Sequence, residues 1–268
     1  MRRFNLYLGI SLIALVMVAA IISFFWTPFD PNKMDFGSQF ASPNSEHALG
    51  TDNFGRDLLS RLMIGARSTL YVGFIAVGIA ASIGSLIGAL AGYFGNLFDD
   101  ISMRLIDTLY AFPAILMALL LAAIFKPGTL TAMTAIGIAT IPIFARLMRS
   151  SVLTQKNLPY VEAARAQGME ELSILFKHIL PNSLSPIIVQ ASLSLAVAVL
   201  AEAALSFLGL GSPPNVPSWG NMLREAQGFL SFSPYPALVP GLAIIVTVLG
   251  WSLLGDGLRD FLDPRNEQ

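Results

Sequence analysis

From residue 68 to residue 98 the chain carries no charged side chain. That run exceeds the roughly 20 apolar residues that a helix needs to cross the hydrocarbon layer of a bilayer. Backbone polar groups in lipid must be paired within the structure itself, which restricts a lone run of this kind to helix. Five further stretches meet the same condition: 8–26, 108–125, 127–145, 183–208 (interrupted only by Glu202) and 237–255. Composition agrees. Charged residues make up 12% of the 268, against about a quarter in an average soluble domain. Mean hydropathy is +0.67. So few charges cannot cover a water-facing surface, which excludes a disordered chain, a nucleic-acid binder and an ordinary soluble enzyme. The formal net charge of -1 says nothing about partners. The absence of cysteine excludes disulfides, thiolate metal sites and a cysteine nucleophile.

The first apolar run is longer than the ~7–15 residues of a signal-peptide core, and no A-x-A-like site follows it. Trp26-Thr27-Pro28-Phe29-Asp30 reads instead as an aromatic interface leading into a polar loop, so a retained anchor is expected. Placing the N-terminus in the cytoplasm puts Arg2, Arg3, Arg104, Arg146, Arg149, Lys156, Arg165, Lys177, Arg259 and Arg265 inside, ten of the 16 Lys and Arg residues. The outer side then holds Lys33, Arg56, Arg61, Arg67, Lys126 and Arg224, and the amphipathic segment 56–67 is expected to lie along the interface. Six spans place both termini in the cytoplasm. The expected organisation is an anchor helix with an outer segment over 1–68, a transmembrane core over 69–261 and a cytoplasmic tail over 262–268.

Three connecting segments are long: 27–67 and 209–236 outside, and 147–182 inside. The inner one reads as two short helices. Pro159 suits a first helical turn, where its missing N–H is not needed. The segment 160–167 follows as helix, with Glu162 and Arg165 on one face. Gly168 is placed to end it in the left-handed conformation. A second helix over 169–180 carries Leu172, Leu175, Phe176 and Ile179 as an apolar stripe, and Pro181 is expected to stop it. Such a pair is either a rigid knob projecting into the cytoplasm or an amphipathic pair lying on the inner leaflet.

Glu162-Ala163-Ala164, then Gly168, then Leu180-Pro181 resembles the EAA loop of binding-protein-dependent ATP-binding cassette importers. His178 stands where that pattern has isoleucine, with Ile179 beside it. The resemblance extends along the chain through His47-Ala48-Leu49-Gly50-Thr51-Asp52, Gly55-Arg56-Asp57, Ser60-Arg61 and Gly65-Ala66-Arg67. It continues through Leu205-Ser206-Phe207-Leu208-Gly209-Leu210-Gly211, Ser218-Trp219-Gly220 and Gly255-Asp256-Gly257-Leu258-Arg259-Asp260. These segments are similar to the peptide and nickel branch of such permeases, and within it to the dipeptide/oligopeptide "C" type. The resemblance implies an all-α fold of six transmembrane helices, the first peripheral, with the type I importer permease core. It also implies that Glu162, Ala163, Ala164, Gly168, Leu180 and Pro181 couple the chain to an ATPase.

Other motifs narrow the alternatives. The sequence lacks G-x-x-x-x-G-K-[ST], H-E-x-x-H and G-x-S-x-G, so ATP and Mg would be held by another chain, and a membrane hydrolase or metalloprotease lacks its parts. Gly84, Gly88 and Gly92 form a small-residue face for close helix approach, either within this subunit or toward a partner permease. Glu202 lies in an otherwise apolar span, where a charge costs at least ~2.5 kcal/mol, so it either lines the translocation pathway or is hydrogen-bonded to a neighbouring helix or near the outer interface. Arg104 with Asp107 and Arg259 with Asp256 read as helix-end ion pairs. Arg146 and Arg149 read as interface anchors, with a contact to the ATPase surface as the alternative. The ten methionines are scattered, which favours flexible packing over a soft-metal path. Segment 219–227 reads as a short amphipathic helix. Trp219 is an interfacial anchor on that pattern, whereas the family resemblance makes Trp219 and Arg224 candidates for an outer gate or a binding-protein contact.

The expected function is therefore the permease subunit of an ATP-driven importer, forming half of a pathway for di- or oligopeptides. The alternatives are the same architecture importing nickel, metal chelates or glutathione-like solutes, and, from another class, an ion-gradient-driven transporter or a channel subunit. The implied partners are a second homologous permease, two cytoplasmic ATPases, an extracytoplasmic solute-binding protein and the lipid bilayer, with no nucleic acid. The expected location is a bacterial or archaeal cell membrane. No bond chemistry, cofactor or metal is expected on the chain itself.

Overall fold

A computed structural model describes residues 2–262; Met1, the tail 263–268 with Arg265, and the side chains of Arg2, Arg3, Ala114 and Ala122 lie outside the described residues. Helices are the regular secondary structure of the described residues, joined by irregular segments that include a single antiparallel bridge between Thr51 and Asp57. Among the described residues, five helices are long and apolar enough to cross a membrane: α1 (Arg2–Ile22), α2 (Leu58–Phe94), α5 (Thr129–Lys156), α9 (Leu184–Phe207) and α11 (Tyr235–Leu262). A sixth candidate is a bent pair, α3 (Asn96–Tyr110) followed by α4 (Ala114–Phe125).

The bend corrects the span expected over 108–125. Pro113 has no N–H to return to the preceding turn and disfavours helix at Phe112. The chain therefore breaks at Ala111-Phe112-Pro113, and the two helices meet at 89°. Alone, α4 is about 18 Å long, short of the ~30 Å hydrocarbon layer.

The segment 56–67 is not a separate surface helix: from Leu58 it is the first part of α2. Asp57 caps α2, accepting from the Ser60 N–H at 2.8 Å, and the helix then runs without a break to Phe94. Arg56 and Arg61 turn inward and are buried. Gly95, at φ +65°, ends α2 and opens α3.

The most extensive helix pairing is between α2 and α5, and the glycine face of α2 permits it. A Cβ on Gly88 would lie 2.1 Å from the Ala145 carbonyl oxygen, and one on Gly84 would lie 2.6 Å from that of Ile141. The face is used inside this subunit. A second small-residue seam, Gly9 of α1 with Gly250 and Gly257 of α11, brings the first helix onto the last. The α9 helix packs against α2, α5 and α11.

Charge pairs tie α3 to α5. Arg149 makes two hydrogen bonds to Asp99, at 2.6 and 2.5 Å, and Arg146 pairs with Asp107 at 2.7 Å. Asp107 thus pairs with α5, not with Arg104 as its spacing suggested. No ion pair joins Asp256 to Arg259 among the described residues.

Candidate functional site

The inner knob follows directly from α5, which runs on to Lys156, so the first third of the expected loop 147–182 is helix. Next comes α6 (Pro159–Ala166), with Pro159 in its first turn. Gly168, at φ +76°, ends it. The Gly168 N–H donates to Arg165 O at 2.9 Å and the Met169 N–H to Ala164 O at 3.3 Å, the paired bonds of a Schellman cap. The next helix begins as α7 (Glu171–Ile174), widens into a π turn (Leu175–Ile179) and closes as α8 (Leu180–Asn182) before α9.

Pro181 does not stop this helix. The Leu180 N–H reaches back five residues to Leu175 O, and the wider turn accommodates the bond that the proline cannot make. The knob is therefore continuous, through one turn at Ser183, with the membrane helix α9.

Burial divides the knob into an inner and an outer face. Val161, Ala164, Ile174, Leu175 and Ile179 are buried and join the core with Met148 and Val152 of α5. Glu162 and Ala163 face outward. Leu172 is 52% and Phe176 46% exposed, so the expected apolar stripe is split, one part packing inward and an i,i+4 pair pointing out. Arg165 pairs with Glu171 at 3.0 Å, not with Glu162. The Tyr93 hydroxyl also donates to Glu171. These two hydrogen bonds, the tyrosine's first, hold the Glu171 carboxyl below its ordinary range, and Glu171 in turn holds Arg165 above its own.

At the opposite end α10 (Trp219–Gln227) is locked into the body of the chain. Trp219 is 1% exposed; its indole N–H donates to Leu62 O at 3.0 Å, and its ring fills the space beside Gly65. It is therefore a packing residue rather than an interface-facing anchor. Gly220 lets α10 approach α9, since a Cβ there would lie 2.3 Å from Ala203 O. Glu225 accepts from both Arg56 and Arg61, the latter at 2.9 Å, and Arg56 also holds Asp52 at 2.7 Å. Arg224 is half-buried, with one guanidinium nitrogen 2.6 Å from where a Cβ on Gly209 would stand.

Glu202 is 1% exposed. Thr69 of α2 donates to one carboxyl oxygen at 3.1 Å, and Ser206, one turn further along α9, donates to the other at 2.8 Å. The Ser206 oxygen accepts the Ser212 N–H at 3.1 Å, which extends the network into the loop that leads to α10. Sequence reading marked Glu202, but it could not find Thr69, which lies 133 positions away; Ser206 stands one helical turn on, at the i+4 position of the same helix.

The described chain is thus a membrane protein whose apolar helical core carries, at one end, a two-helix knob continuous with a spanning helix. The model of the family described as "Binding-protein-dependent transport system inner membrane component" matches residues 84–268, and the chain belongs to that family. It is the permease component of an ATP-binding cassette importer. It is 43% identical over 257 residues to the dipeptide transport system permease protein DppC of Alkalihalophilus pseudofirmus, covering 96% of this chain and 84% of that one. It is equally 43% identical over 262 residues to the glutathione transport system permease protein GsiD of Pectobacterium atrosepticum, covering 96% and 85%. Among solved structures, a chain of the MetNI methionine ABC transporter in an inward-facing conformation is similar at TM-score 0.62 and 19% identity, covering 76% of this chain and 96% of that one. That similarity concerns the fold.

Proposed function

We propose that this permease pairs with a second, homologous permease to line a passage for di- or oligopeptides. A binding protein delivers the solute on the α10 side, and two ATPases, which hold ATP and Mg, act on the knob side. The knob carries this reading. Its buried face anchors it to α5, and its exposed face presents Glu162, Ala163, Leu172 and Phe176. A small alanine beside an exposed apolar pair suits close docking into a groove of another protein. With α3 and α4 counted as one crossing, the start of α1 and the end of α11 lie on the knob side, and the excess of Lys and Arg in the sequence segments assigned to that side supports a cytoplasmic placement.

The continuity of the knob with α9 supplies the mechanism. ATP binding draws the nucleotide domains together and displaces the knob. The displacement passes along α9 and turns the cavity outward, and hydrolysis resets it. Glu202 serves this motion as a joint that holds α9 to α2, which accounts for its hydrogen bonds to Thr69 and Ser206.

The test uses the full complex in proteoliposomes. Gly168→Pro removes the left-handed corner, and Ala164→Asp buries a charge in the knob's inner face. Each is expected to abolish substrate-stimulated ATP hydrolysis while the protein remains in the membrane. Normal coupled uptake in both would overturn the reading. Glutathione is the second cargo reading, supported by the equal similarity to a permease named for it. Uptake of a labelled dipeptide in the presence of glutathione separates the two.

A further inference from the structure

We propose that Arg67 and the groove between α1 and α2 form a binding site for one phospholipid, with the phosphate on the guanidinium and an acyl chain along the groove. The groove has a volume of about 530 Å³, within the ~300–1,000 Å³ typical of ligand sites. One wall is α1 from Met17 to Ile21 with Phe24 just beyond its end; the other is α2 from Arg67 to Phe74, and Thr129 at the start of α5 and Val216 border the groove. Seven residues of helix rise about 10 Å, so the groove leads from Arg67 well down the flank of the protein. Its lining is almost wholly apolar below the arginine.

Depth is marked independently. Phe24, Phe25 and Trp26 are 63%, 88% and 60% exposed at the end of α1, an aromatic belt of the kind found at headgroup level. Arg67 sits in that belt, its guanidinium 3.8 Å over the Phe24 ring. Nε donates to Ser23 Oγ at 3.2 Å, and Nη2 donates to the Ser23 carbonyl and hydroxyl. Among the described residues Nη1 makes no hydrogen bond and no carboxylate pairs with Arg67. Arg56 and Arg61, a few residues earlier, both meet acids. A fixed guanidinium at headgroup level with donors to spare and no acid of its own complements a phosphate. The apolar slot beneath it fits the chain that the phosphate carries. The site depends only on the chain being a membrane protein, so it stands apart from the cargo and from the direction of coupling.

The test is native mass spectrometry of the purified importer complex, stripped of lipid in neutral detergent and titrated with phosphatidylglycerol. The wild type is expected to retain one lipid most tightly. Arg67→Gln should weaken that binding at least about fivefold, through loss of the charge-assisted hydrogen bonds from the guanidinium to the phosphate. Ile21→Trp, which fills the groove from its exposed side, should displace the lipid while Arg67 stays in place. Ser23→Ala removes the hydroxyl that accepts from Arg67 but keeps the cation, so it should bind lipid as the wild type does. Equal lipid affinity in Arg67→Gln and wild type would overturn the proposal, as would an equal loss in Ser23→Ala. Efficient cross-linking of Tyr71→Cys to the partner permease would also overturn it, because a protein helix would then occupy the groove.

Discussion

Tyr93, in the last turn of α2, donates its hydroxyl hydrogen to Glu171, the first residue of α7, across 78 positions of sequence. Lys156, where α5 gives way to the knob, donates to the Tyr93 carbonyl at 2.5 Å. The knob is thus fastened to the inner end of α2 by a polar contact, in addition to its apolar packing with α5. Since α2 also forms the most extensive interface with α5, a displaced knob pulls on the centre of the helical body.

Tyr93→Phe keeps the ring and removes that link. A hydrogen bond to a charged acceptor is worth about 1.5–3 kcal/mol, and the exposed side of Glu171 lowers this to about 1 kcal/mol. We expect normal assembly and ATP hydrolysis, with solute moved per ATP falling several-fold in proteoliposomes. An unchanged ratio would mean that the knob moves the core through α9 alone.

Acid should release the same contact. The Glu171 carboxyl is lowered by Tyr93 and then by Arg165, so the stabilisation is fully present above the ordinary glutamate range near ~4.3 and is lost as pH falls through the lower native value. The natural chain has no cysteine, so Gln167→Cys can carry a single environment-sensitive fluorophore. Its signal should stay flat from about pH 8 to about pH 5 and change only in stronger acid. In a Glu171→Gln background the changed signal should appear at every pH.

Long uncharged apolar runs located five membrane helices to within a few turns, because lipid leaves such a run little choice but helix. It also placed the knob's corner, since Gly168 adopts the positive φ that glycine tolerates best. It failed where a local signal competed with tertiary context. Pro181 reads as a stop but is absorbed by a π turn, whereas the break at Pro113 was masked by the apolar residues around it. The long-range partners Tyr93–Glu171, Arg149–Asp99 and Arg61–Glu225 could not be read at all, because pairing across the fold leaves no spacing in the chain.

Two glycines of α2 provide a controlled comparison. Gly88 touches the backbone of α5, so Gly88→Ala must push the helices apart, at a cost of about 1–3 kcal/mol. A Cβ on Gly78 meets nothing within 4 Å, and Gly78→Ala gains up to ~1 kcal/mol of helix propensity. Thermal unfolding of the purified complex should therefore move down for the first and stay level or rise for the second. A fall of equal size in both would show that loss of glycine itself, not contact with α5, is responsible.

The buried charges at the α10 end balance two against two. Arg56 and Arg61 share Glu225, and Asp52 lies 2.7 Å from Arg56 and 3.6 Å from Arg61. With Arg61 1% exposed, Glu225→Gln leaves two guanidinium groups to one carboxylate in a poorly solvated place. Breaking a buried pair from one side costs ~3–5 kcal/mol, reduced here to about 3 kcal/mol because the Glu225 side chain is 19% exposed. We expect a clear fall in the melting temperature of the complex and freer movement of α10, seen as faster hydrogen exchange over residues 219–227. Arg61→Met combined with Glu225→Gln restores the charge balance by leaving Arg56 with Asp52. The double variant should therefore be more stable than Glu225→Gln alone. If it is less stable, Arg61 holds α10 through packing and not through charge.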